Sequence, residues 1–96
     1  MQFLIIAYDA NEPDAKARRM AARAAHLEDM QAYMDSGAFI NGGAILDEAG
    51  EMIGSTLYMQ FDSRPELDKW LNSEPYYTQG VWVDIDIKPI ALVPKK

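Results

Sequence analysis

The stretch that most constrains this chain is its opening run, "QFLIIAY", residues 2–8. Both alternate sets are apolar: Phe3, Ile5 and Ala7 on one side, Leu4, Ile6 and Tyr8 on the other. Successive side chains of a strand point to opposite faces. Such a run therefore reads as a central strand covered on both faces. The chain has 96 residues, and domains commonly run to about 100–150. A single domain over residues 1–96 is predicted, with one sizeable core.

Composition removes several classes of chemistry. The chain has no cysteine and one histidine. Disulfides, thiolate catalysis and cysteine-ligated metals are excluded, and one imidazole among carboxylates is poor ligation for zinc. Neither a metal nor a cofactor is expected. Nine Lys and Arg stand against fifteen Asp and Glu, a net charge of −6. That field disfavours nucleic acid as a partner. The first apolar run is too short for a signal peptide or a membrane span. The expectation is a cytoplasmic protein with no membrane partner.

After the turn residues of "DANEPD" the pattern becomes helical from about Asp14 to Ser36, with Met20, Leu27, Met30 and Met34 on the inward face. Gly37 is placed to end that helix. "AFINGGAIL" reads as a second strand, in which Gly42-Gly43 predict a bulge or a close approach by another group. "DEAGE" turns the chain into a third strand, "MIGSTLYMQF". Ser63 and Glu66 form a capping-box pattern with Pro65 in the first turn of a second helix, about Arg64 to Asn72, which buries Leu67, Trp70 and Leu71. "SEPYYTQG" reads as a loop. "VWVDIDIKPI" alternates strictly, placing Val81, Val83, Ile85 and Ile87 inward and Trp82, Asp84, Asp86 and Lys88 outward.

The order β-α-β-β-α-β predicts an α+β, ferredoxin-like sandwich: an antiparallel sheet with two helices on one face. The other face would carry Ile6, Tyr8, Thr56, Tyr58 and Trp82 or its neighbours. That surface is too apolar for water, so a homodimer packed through its sheets is expected.

With that order in place, the chain resembles the YCII-related family of the dimeric α/β-barrel superfamily. The resemblance spans nearly the whole chain. It rests on Asp9 at the end of the first strand, "RAAHL", "SGAFINGGAI", "GSTLYMQFDS", "SEPYYTQGVW" and "IDIKPI". Ala24 stands where the family often has proline, Ala44 where it has the proline of Gly-Pro, and Glu74 where it has the aspartate of Asp-Pro-Tyr. Proline suits a first helical turn, so the resemblance implies a main helix starting near Arg23, after a break around Ala21 to Ala24. It also implies a pocket holding a His26–Asp9 pair and a small-molecule ligand.

His26 is the candidate acid or base, since imidazole titrates near neutrality. Asp9 would orient it, although the residue by itself favours turn initiation before "ANEPD" over that role. Arg19, Arg23 and His26 follow one another at i, i+4 and i+7, and a guanidinium suits a carboxylate or phenolate. Arg23 is the preferred anion clamp and Arg19 its neighbour; pairing with Asp9, Glu12 or Asp14 is the structural alternative for each arginine. Glu74 and Tyr76 are candidate ligand contacts from the loop. Asp35, out of helical phase, should not reach His26. Two functions follow: cofactor-free proton transfer, an isomerisation or elimination on a small anionic or cyclic organic substrate, or a non-catalytic dimeric module that binds a metabolite or a partner.

Overall fold

A computed structural model describes residues 1–94. Its elements are β1 (Gln2–Asp9), α1 (Ala15–Ser36), β2 (Phe39–Leu46), β3 (Met52–Gln60), α2 (Arg64–Leu71), α3 (Pro75–Thr78) and β4 (Trp82–Ile90). The strands form one antiparallel sheet in the order β2-β3-β1-β4. β1 is central, as its two apolar faces require. Phe3, Ile5 and Ala7 face the helices and are buried with Leu57, Met59, Ala22, Met30, Leu67 and Trp70. Leu4 and Ile6 on the opposite face keep intermediate exposure in the single chain, and Tyr8 is exposed. This is the ferredoxin-like α+β sandwich predicted from the element order.

α1 differs from its expected form. It is one unbroken helix of 22 residues, ended by Gly37 in the left-handed conformation (φ 88°), whose N–H reaches Met34 O. No break occurs at Ala21 to Ala24, because alanine is the best helix former and, unlike proline, keeps its backbone N–H. Its buried stripe is also rotated. Ala15, Arg19, Ala22, His26 and Met30 face inward, whereas Met20, Leu27 and Met34 are exposed. A step of one residue turns the side chain by about 100° at 3.6 residues per turn. The hydropathic pattern therefore places Met30 rightly but misplaces the inward face by one position at Met20 and Leu27.

Two further departures bear on the site. Tyr8 pairs with Asp84 but Asp9 pairs with Trp82, so Val83 is an extra, bulged residue. The bulge reverses the alternation: Val83 is exposed and Trp82 is buried, the opposite of the strict pattern. "SEPYYTQG" is not wholly irregular either, since it contains the one-turn helix α3. At α2, Ser63 makes no side-chain cap bond; its carbonyl instead accepts from Leu67 N–H at 3.3 Å. In β2 the register shifts fall between Phe39 and Asn41 and between Ile45 and Leu46 rather than at the glycines. Gly42 is nevertheless a close approach: a Cβ there would lie 2.3 Å from Thr56 O and 3.0 Å from the Phe39 ring.

Candidate active site

The inward stripe of α1 carries two ionisable side chains into the core, and each meets a carboxylate. Arg19 donates through one terminal nitrogen to both oxygens of Asp9, at 2.9 and 3.0 Å. Its other terminal nitrogen donates to Ser55 Oγ at 3.1 Å. Burial of a guanidinium is tolerable only with such partners. His26, seven residues later, places Nδ1 2.5 Å from Glu74 Oε1. Arg19, His26 and Glu74 are all buried.

The expected His26–Asp9 pair is thus replaced by His26–Glu74. In an unbroken helix His26 lies about 18 Å along the axis from Asp14, at 1.5 Å per residue. Asp9 stays at the helix's beginning, where Arg19 takes both its oxygens. Glu74 reaches the imidazole because it precedes Pro75 and holds the extended conformation favoured before proline (φ −69°, ψ 124°). Its Oε1 also accepts the Tyr76 N–H at 3.1 Å, capping α3. That oxygen already accepts the Tyr76 N–H, which marks it as the acceptor, so Nδ1 carries the proton of this bond. In the neutral ring, Nε2 is then the basic atom.

Tyr76 joins the two buried groups. Its ring stacks on His26 with centroids 3.9 Å apart and planes 10° from parallel, and Arg19 Cζ lies 4.7 Å from its centroid. Burial pushes the Tyr76 phenol above its usual value of 10.0, an effect that Arg19 and Arg23 oppose. The phenol therefore remains protonated at neutral pH and can donate. Trp82, turned inward by the Val83 bulge, presents an edge to His26 and donates from Nε1 to Ser55 Oγ at 3.2 Å. Ser55 accepts from both Arg19 and Trp82, which occupies its two lone pairs and leaves its O–H to give.

These groups border a cavity of about 380 Å³ between α1 and the β2–β3 edge. Arg23, His26, Ser55 and Tyr76 line it, with Gly42, Gly43 and Ala44 as a wall without bulky side chains. Arg23 is exposed and has no ion pair among the described residues. Arg18 and Lys16 stay outside, paired with Glu12 and Glu51. Asp35 bonds Gln31 and takes no part. Among the described residues no helix is long and apolar enough to cross a membrane.

A family model described as the YCII-related domain matches residues 1–91. The chain belongs to the YCII-related family. It is 28% identical over 96 residues to Protein YciI of Escherichia coli O6:H1, covering 94% of this chain and 98% of that protein. An uncharacterized protein of Haemophilus influenzae is 31% identical over 100 residues, covering 97% and 99%. Two solved structures share the fold. One is 5-chloro-2-hydroxyhydroquinone dehydrochlorinase from Burkholderia phenoliruptrix AC1100, in complex with 2,5-dihydroxybenzoquinone. Its TM-score is 0.81 at 24% identity, covering 95% of this chain and 94% of that one. The other is Rv0793 from Mycobacterium tuberculosis, with TM-score 0.58 at 17% identity and coverages of 99% and 98%.

In this YCII-related domain, five of the six residues singled out in the sequence meet around the cavity or its buried wall: Arg19, Arg23, His26, Glu74 and Tyr76. Asp9 joins them through Arg19. Ser55 and Trp82 were not singled out. Ser55 has a legible signal, a polar residue in phase with inward Leu57 and Met59 on a strand of period two. Trp82 has none, because its direction depends on an unannounced bulge.

Proposed function

We propose that this domain is a cofactor-free enzyme that transfers a proton, in an isomerisation or elimination, on a small anionic or cyclic organic substrate. The observation that carries this reading is the buried His26–Glu74 pair at the wall of the cavity. Glu74 takes the orienting role expected of Asp9. It holds Nδ1–H and fixes the orientation of the ring, as the carboxylate does in other His–carboxylate pairs.

In the reaction Nε2 of His26 accepts the proton from a substrate C–H or O–H. The electron pair left behind shifts into an adjacent carbonyl system or expels a leaving group. Arg23 faces the negative charge that develops, and the Tyr76 phenol and Ser55 hydroxyl are donors within reach of the same space. Asp9 holds Arg19 rather than the imidazole. The dehydrochlorinase of the same fold, seen with a dihydroxyquinone, supports a ring acid as one substrate class. The apolar bare face of Leu4, Ile6, Tyr8 and Tyr58 supports a homodimer; a monomer by light scattering at micromolar concentration would remove that part.

The test is hydrogen–deuterium exchange by NMR at the acidic carbon of hydroxyquinones and β-keto acids. Wild type should accelerate exchange on at least one of them. His26→Ala should lower that acceleration by about 10²–10⁴, the usual contribution of a general acid or base. Glu74→Gln should lower it less. Equal exchange by His26→Ala and wild type overturns the reading. Binding with no exchange would instead favour the non-catalytic module.

A further inference from the structure

The cavity is larger and longer than its reactive groups need. At about 30 Å³ of liquid volume per water, its 380 Å³ hold about a dozen non-hydrogen atoms. Its lining is also sorted along α1. Arg19, Arg23 and His26 come first on the helix, with Ser55 and Tyr76 beside them. Leu27, Met30 and Met34 come next, facing Phe39 and Leu57. From Arg23 to Met34 the helix rises about 16 Å. One end of the cavity is therefore cationic and hydrogen-bonding, and the other is mostly hydrocarbon and thioether, with Gln31 as the polar side chain that α1 adds there.

The apolar end also lacks cover. Leu27 and Met34 are each 49% exposed although both line the cavity. Across the cavity β2 contributes Gly42, Gly43 and Ala44, none of which has a bulky side chain to cover them. Two large apolar side chains beside an unfilled groove are the surface that a bound apolar group would remove from water. Methionine, unbranched and polarizable, adapts to such groups without one fixed shape.

We infer that the ligand is amphipathic: an acidic head at Arg23 and His26, continued by an apolar part of several carbons along Leu27, Met30 and Met34 toward Phe39. The position of the head rests on the function proposed above. The apolar part rests on the sorting of the cavity alone. A small acid held at the cationic end alone would leave Leu27 and Met34 in water. Specificity among acids is then set by the tail, since the head is common to all of them.

The probe is a series of straight-chain carboxylates from butanoate to octanoate, with binding measured by calorimetry and by the methyl resonances of ¹³C-methyl methionine. Burial of each added methylene against a half-open groove should raise affinity about two- to fourfold. Met30 and Met34 methyl signals should move further with each longer acid. Met20, on the same helix but outside the cavity, should not move. Met34→Glu, at a half-exposed position that tolerates charge, should abolish the gain per methylene. A flat series in which short and long acids bind alike overturns the tail while leaving the head in place. Failure of every acid to bind, or shifts confined to methionines outside the cavity, also overturns it. If the series rises but His26→Ala exchanges protons as wild type does, the tail stands and the catalytic reading falls.

Discussion

α1 and α2 lie on the same face of one sheet, yet they obey different rules. α2 buries Leu67 and Trp70, as its apolar spacing dictates, and exposes its charges. α1 buries Arg19 and His26 and leaves Met20, Leu27 and Met34 half in water. Hydropathy predicts orientation when a helix has only water and hydrocarbon to choose between. Where buried carboxylates such as Asp9 and Glu74 await a cation or a ring N–H, the polar residue enters and the apolar ones turn aside. A helix whose burial contradicts its hydropathy is thus a sign of a site.

The contrast can be broken most severely at Arg19. Arg19→Met keeps the bulk but leaves Asp9 buried without a cation, and should cost about 3–5 kcal/mol in urea unfolding. Arg19→Met with Asp9→Asn should recover much of that, a non-additivity that independent sites do not show. A cost near zero for the single variant would mean that α1 is not anchored by its charges.

A smaller effect is expected at alkaline pH. Tyr76 is held above its usual value by burial, so the unfolded chain releases the phenolic proton first. The folded state binds more protons through that window, and stability contributed by the neutral phenol should fall as pH rises above about 10. Tyr76→Phe should flatten that slope. An unchanged slope would place the phenol in water rather than against His26 and Trp82.

The least effect is expected at Met20. Were the hydropathic reading of α1 right, Met20→Ala would open a core cavity costing about 2–5 kcal/mol. At its half-exposed position, outside the cavity, the change should stay within about 0.5 kcal/mol. This variant sharpens the comparison, because the same substitution at Leu67 in α2 should carry the full core penalty.

Much of the fold was readable residue by residue. The two apolar faces of "QFLIIAY" placed β1 centrally, Gly37 ended α1, and the alternation from Ile85 to Ile87 matched the sheet. The site was readable in membership but not in pairing. His26 and Glu74 are 48 residues apart, and nothing local states that they meet. The expected break at Ala24 also failed for a local reason: alanine there keeps α1 continuous and carries His26 away from Asp9. The Val83 bulge hid Trp82, since an extra residue leaves no trace in a pattern of alternating side chains.

One oxygen of Glu74 both caps α3 and holds the imidazole, and this has a consequence for anyone who would transplant the pair. The His26–Glu74 pair cannot be moved to another scaffold as two side chains at a set distance. The segment from Glu74 to Thr78 must travel with it as one part, because the turn aims the carboxylate and the carboxylate completes the turn. Conversely, shortening Glu74 to aspartate is a change of geometry at two junctions at once. A designer who corrects the reach to His26 would have to reseat the Pro75 turn in the same stroke.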